Sequence, residues 1–203
     1  MATDGKRATM EDFGEDLEMD GLIERYASVV DRLSLSEGEK HLAHEVRSRM
    51  SQLRYLLRRV QLLHRRFAAN PTVLGADAPH ELTPLSELWL HCEMLYYVAF
   101  RIHTILEKRL PFAKGFKAPG VRGVRNHLVE HPEGPGSGVV MRSFLVDWDG
   151  PKIKGVRTEG APRNHMDRGL YANLREFLAA FDAMLTKAEA TTPTGRKGAA
   201  SGC

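Results

Sequence analysis

The sequence predicts a mainly α-helical fold: an antiparallel helical bundle of four to five helices, with a small β-hairpin before the last helix. Apolar residues recur at three- and four-residue steps through most of the chain, as a buried helix face requires. Capping residues, prolines and glycines punctuate those periodic stretches. Strand-like patterning is confined to about 139–156.

Residues 1–16 are polar and aperiodic and read as a disordered acidic tail, and 188–203 (AEATTPTGRKGAASGC) read as another, which leaves 17–187 as one folded domain. A first helix is expected over Asp20 to Leu33, where Leu22, Ile23, Tyr26, Val29, Val30 and Leu33 fall on one face. Ser36 with Glu39 forms a capping box that opens the longest helix, about Glu37 to Ala69. In it Val46, Leu53, Val60 and Phe67 lie seven residues apart, with Leu42, Met50, Leu56, Leu57 and Leu63 widening the stripe. Thr83 as N-cap and Pro84 at the first helical position start a helix to about Leu110. Its centre, Trp89 to Phe100, is apolar nearly all round and is expected to be the middle of the bundle. Pro111 stops it, and a Gly- and Lys-rich connection leads to a short helix, about Val121 to Glu130, ended by Pro132. Val139 to Val146 and Lys152 to Val156, with Asp149-Gly150-Pro151 between, read as the hairpin, and Asn164 caps the last helix.

Composition narrows the class. Only two cysteines are present, Cys92 in an apolar helix and Cys203, so no disulfide framework or cysteine zinc site is expected and a reducing, cytoplasmic setting follows. No signal-peptide core opens the chain, and no apolar run approaches the length of a membrane span. The formal net charge of +3 hides a cluster, since seven arginines fall between Arg47 and Arg66 with no Asp or Glu among them. Arg47, Arg54, Arg58 and Arg65 are expected on the free side of the longest helix, where they would either track a phosphate backbone or form a solvated face. The acidic stretch Glu11 to Asp20 could fold back on a basic face or stay solvated.

The segment Arg125-Asn126-His127-Leu128-Val129-Glu130-His131 is the candidate for chemistry. Arg125-Asn126 followed by His131 is an R-N-x4-H arrangement, which resembles the motif of the HEPN superfamily, small helical proteins many of which are metal-independent ribonucleases of toxin–antitoxin and defence systems. The resemblance implies an RNA substrate, no cofactor, a homodimer whose two subunits line the cleft, and an antitoxin or another protein as a further partner. It also implies that Arg125 and His131 are catalytic, with Asn126 orienting the phosphate or the imidazole. Such chemistry suits these groups: an imidazole titrating near neutrality moves a proton, and a guanidinium neutralises phosphoryl charge. On an ideal helix the two side chains would point about 120° apart, but Pro132 biases His131 out of helical conformation and lets its ring turn toward the arginine. Lys114, Lys117 and Arg122 would add charge beside the motif.

Two other readings of the segment stand beside this one. His127-Leu128-Val129-Glu130-His131 looks like the H-x-x-E-H zinc signature of inverzincin metalloproteases, with Glu176 or Glu189 as the further ligand of a zinc hydrolase. Alternatively Arg125, Glu130 and His131 are helix-terminal and surface ion-pairing groups without chemistry, and the protein is a non-catalytic module that binds nucleic acid or a partner protein.

Overall fold

The computed structural model describes residues 14, 16–69, 84–125, 144–149, 152–158 and 168–191. Among them, helices follow in the order α1 (Asp20–Arg32), α2 (Glu37–Ala69), α3 (Pro84–Arg109), α4 (Pro119–Arg125) and α5 (Arg168–Thr191), with a 3-10 turn at Pro111–Ala113. Two strands, β1 (Phe144–Asp149) and β2 (Lys152–Thr158), pair antiparallel between α4 and α5. A bulge lies on β2, where Asp147 pairs with Gly155 and Trp148 with Ile153. The expected start near Val139 lies outside the described residues, as do the expected caps Thr83 and Asn164.

The helices close into a ring around one core. α1 packs on α2 and α5, α2 on α3, α3 on α4, and α4 on α5. The capping box at the start of α2 forms as its residue types dictate: the Ser36 amide donates to the Glu39 carboxylate at 2.8 Å, and the Glu39 amide donates to Ser36 Oγ at 3.4 Å. Val46, Leu53 and Val60, seven apart, are fully buried, so the heptad spacing found the core face of α2. α1 contributes Tyr26, whose ring packs on Phe181 at 5.5 Å and whose hydroxyl donates to the Ala43 carbonyl at 3.2 Å. Burial pushes that phenol far above its usual range, so it remains a neutral donor.

α3 departs from the expectation of a helix covered on every side. Leu88, Leu95, Ala99, Ile102 and Leu106 are buried, but Leu90, Met94 and Tyr97 are exposed. Among the described residues α2, α4 and the 3-10 turn pack on it, and Asn173 of α5 reaches Tyr96. α5 runs to Thr191, past the boundary at 187 suggested by composition, because Ala188 is buried and Glu189 is held by Arg25. That arginine clasps α1 to α5: its guanidinium donates to both oxygens of Glu189, at 2.9 and 2.6 Å, and to Thr186 and Asp182.

His103 is the buried polar exception on α3, with no partner for Nδ1 beyond Glu107 at 3.8 Å. Its ring stacks on Phe100 and lies 5.6 Å from Phe116. Desolvation lowers its pKa; Glu107 opposes that, while Arg122 on α4 and Lys108 on α3 reinforce it. The folded protein therefore resists a proton that the unfolded chain accepts. Stability should be insensitive to this group above about pH 6.5 and fall as the pH drops from there towards the lower folded value. Urea melts at about pH 7.5 and about pH 5.5 check this: wild type loses more midpoint on acidification than His103→Leu, and equal losses exclude the linkage.

Candidate functional site

The motif begins at Arg125, the last residue of α4, so what fixes that helix fixes where the motif starts. The connection from α3 folds as a 3-10 turn, with Ala113 N donating to the Leu110 carbonyl at 3.0 Å and Phe116 N to the Ala113 carbonyl at 3.0 Å. Gly115 sits within it at φ 91°, a conformation open to glycine and strained for other residues. Phe116 then inserts edge-on against Phe177 at 5.7 Å, and Ala118 and Val121 are buried beside it. α4 begins at Pro119, earlier than expected, since the proline ring suits the first helical position. A carboxylate also serves that end: the Gly120 amide donates to Glu176 of α5 at 3.5 Å.

At Gly120 side chains of α5 lie close against α4. A Cβ there would lie 2.5 Å from Asn173 Oδ1 and 2.9 Å from Glu176 Oε2, and Asn173 is itself committed, donating to the Tyr96 hydroxyl at 2.9 Å.

Arg125 is the last residue of α4, and its side chain, with Asn126, His127, Glu130 and His131, lies outside the described residues. Arg122, one turn earlier, is exposed, as are Lys114 and Lys117 in the preceding connection. Lys108 and Arg109 at the end of α3 are exposed too. From Lys108 to Val129 the chain holds six lysines and arginines and no acidic residue, a cationic edge that the fold carries into the motif. The two acids nominated as a further metal ligand have partners of their own, the Gly120 amide at 3.5 Å for Glu176 and Arg25 for Glu189. Glu176 sits at the opposite end of α4 from Arg125. Among the described residues no group of three His, Cys, Asp or Glu is placed to hold a metal ion.

The arginines of α2 form no single free stripe. Arg54 and Arg58 both bond to Asp20 at the start of α1, Arg58 at 3.1 Å. With Arg65 and Gln61 they line a cavity of about 310 Å3 closed by Leu17 to Asp20. Arg47 lies at the other end of α1, in a second cavity of about 310 Å3 with Asp31, Lys40 and His44. Asp16 completes the pattern, its two oxygens accepting from Nε and Nη2 of Arg175 at 2.6 Å each, which holds its carboxyl below the usual range. The end of the acidic stretch therefore folds back on the basic surface. This row adjoins α1 while α4 lies between α3 and α5, so the two cationic features occupy different sectors of the ring.

Some polar contacts have no periodic signal in the sequence. His64 Nδ1 lies 2.5 Å from the hydroxyl of buried Tyr171, joining α2 to α5, and Asn173 of α5 donates to the Tyr96 hydroxyl of α3 at 2.9 Å. Pairing across elements leaves no mark in spacing along one element. Comparison with protein-family models, with curated proteins and with solved structures finds no match to this chain. No described helix is long and apolar enough to cross a membrane.

Gly120→Ala should lower stability by about 1–3 kcal/mol, because the added methyl meets the Asn173 amide. Thermal melts of Gly120→Ala with and without Asn173→Ala check the cause: the pair should lose less than the sum of the single losses.

Proposed function

We propose that this protein is an HEPN-like, metal-independent endoribonuclease with Arg125 and His131 at its catalytic centre. The observation that carries the reading is the acid-free cationic run of Lys108, Arg109, Lys114, Lys117 and Arg122, exposed where described, which leads through α4 into Arg125-Asn126 and His131. Such an edge attracts a polyanion, and the motif at its end supplies an acid–base group beside a fixed positive charge.

In the reaction the 2′-oxygen of the RNA attacks the adjacent phosphorus and the bond from phosphorus to the 5′-oxygen breaks. His131 moves the proton, taken from the 2′-hydroxyl or given to the departing 5′-oxygen, and Arg125 neutralises the charge that grows on the phosphoryl oxygens. Asn126 orients the phosphate or the imidazole. The products carry a 2′,3′-cyclic phosphate and a 5′-hydroxyl. Two copies contribute to one cleft in this reading, and an antitoxin-like protein is the class of partner that would restrain it.

A second reading is favoured by the other cationic feature: a module that binds nucleic acid through Arg54, Arg58 and Arg65 without cutting it. Here Asp20 takes the place of a phosphate on Arg54 and Arg58.

Purified protein with a labelled RNA in excess EDTA separates the two. The nuclease cuts, and His131→Ala loses about 100-fold or more of the rate with the melting temperature unchanged. Intact RNA under these conditions, shifted in a native gel, overturns cleavage and leaves the binding module. For that module Asp20→Asn should tighten RNA binding and steepen its salt dependence by about one or two counterions, while Arg54→Glu with Arg58→Glu weakens it.

A further inference from the structure

α1 and α2 are joined by a tight corner, where the Leu33 amide donates to the Val30 carbonyl at 3.1 Å and the capping box of Ser36 and Glu39 starts α2. Beside that corner the two helices line a cavity of about 310 Å3. Its floor is apolar. Tyr26 and Ala43 are buried there, tied by the hydrogen bond from the phenol to the Ala43 carbonyl, and Val30 and Leu33 pack partly buried against the core. Its α2 wall is basic: Lys40, His44 and Arg47 follow at steps of four and three, so they share one face of the helix, and all three are exposed.

Arg47 differs from other arginines that line seams between helices. Arg25 meets Glu189 and Asp182 across α1 and α5, Arg54 meets Asp20 across α1 and α2, and Arg59 and Arg101 meet Glu87 and Glu45 across α2 and α3. Among the described residues no carboxylate pairs with Arg47. Lys40 is held by Glu37 within α2 at 2.6 Å, and Asp31, on the α1 wall of the cavity, pairs with none of the three basic residues.

We propose that this cavity binds a small organic monocarboxylate, its carboxylate on Arg47 with His44 beside it, and its apolar body over Tyr26, Val30 and Leu33. The same seam holds the precedent. At the opposite end of α1, Arg54 and Arg58, four residues apart on α2, take the carboxylate of Asp20, and among the described residues no acid does the same for Arg47. A guanidinium recognises a carboxylate through paired N–H donors, and an apolar floor beside it adds the affinity that a bare ion lacks.

A polyanion suits the cavity less well. Asp31 faces it from α1, and the carboxyl end of α1, at Arg32, adds partial negative charge. A single negative group on the Arg47 side, followed by an uncharged body, avoids both. The volume is at the lower end of the range for ligand cavities, about 300–1,000 Å3, which limits the body to a short aliphatic chain or one ring. Neither RNA reading uses this cavity, and the test contains no RNA.

Hexanoate is the probe, titrated into the isotope-labelled full chain and read by the chemical shifts of backbone amides. Saturating shifts are expected over 27–33 and 40–47. Hexanamide, which lacks the charge, and acetate, which lacks the body, should each bind about tenfold or more weakly. Arg47→Gln should weaken hexanoate by about tenfold or more with an unchanged melting temperature, since the side chain is exposed and unpaired, whereas Asp31→Asn should tighten it. The proposal is overturned by hexanoate without saturating shifts up to about 20 mM, by hexanamide or inorganic phosphate binding the same residues as tightly, or by binding indifferent to Arg47→Gln.

Discussion

The antiparallel packing of α2 on α3 is the contact on which the rest of the fold depends. α2 is the longest helix, and its buried row Val46, Leu53, Val60 and Leu63 meets a row of α3 that includes Leu88, Leu95 and Ile102. Burying such side chains stabilises by roughly 1.5–3 kcal/mol each, whereas the half-exposed ion pairs at either level contribute at most about 1 kcal/mol. Packing therefore supplies the energy, and Glu45–Arg101 and Arg59–Glu87 choose the register. Once that pair is set, α1 and α5 close one side around Tyr26 and Phe181, and α4 closes the other through Phe116 and Val121.

Charge in this protein is arranged between elements. The arginine run of α2 contains no acid of its own, yet Arg54 and Arg58 meet Asp20, Arg59 meets Glu87, and Arg49 meets Glu45 within its own helix at 3.7 Å. The cationic edge through α4 is different, for the exposed Lys114, Lys117 and Arg122 come with no acid nearby in the chain. Electrostatic capacity for a polyanion thus rests with the surface that leads into Arg125 and, where Asp20 can be displaced, with the row beside α1.

α3 serves two surfaces. Its inner face carries the core and the buried His103, and its outer face carries Leu90, Met94 and Tyr97 at helical spacing. A helix apolar on most of its circumference reads from sequence as fully enclosed. Among the described residues its packing is against α2, α4 and the 3-10 turn, with Asn173 of α5 reaching Tyr96, and Leu90, Met94 and Tyr97 point away from these contacts.

The sequence by itself determined the start of α2 and its buried face, because those signals are local. Ser36 and Glu39 close the capping box across three residues, and the seven-residue spacing of Val46, Leu53 and Val60 marks one buried face, whereas α4, expected from Val121, begins at Pro119. It also presented the R-N-x4-H arrangement, whose Asn126 and His131 lie outside the described residues. Tertiary structure alone decided that Asp20 takes Arg54 and Arg58, that Glu189 belongs to Arg25, that Gly120 gives Asn173 its space, and that Leu90, Met94 and Tyr97 of α3 are exposed. Each of these pairs residues from different elements, or depends on where neighbours pack on a helix, and periodicity along one helix holds no information about what packs against it.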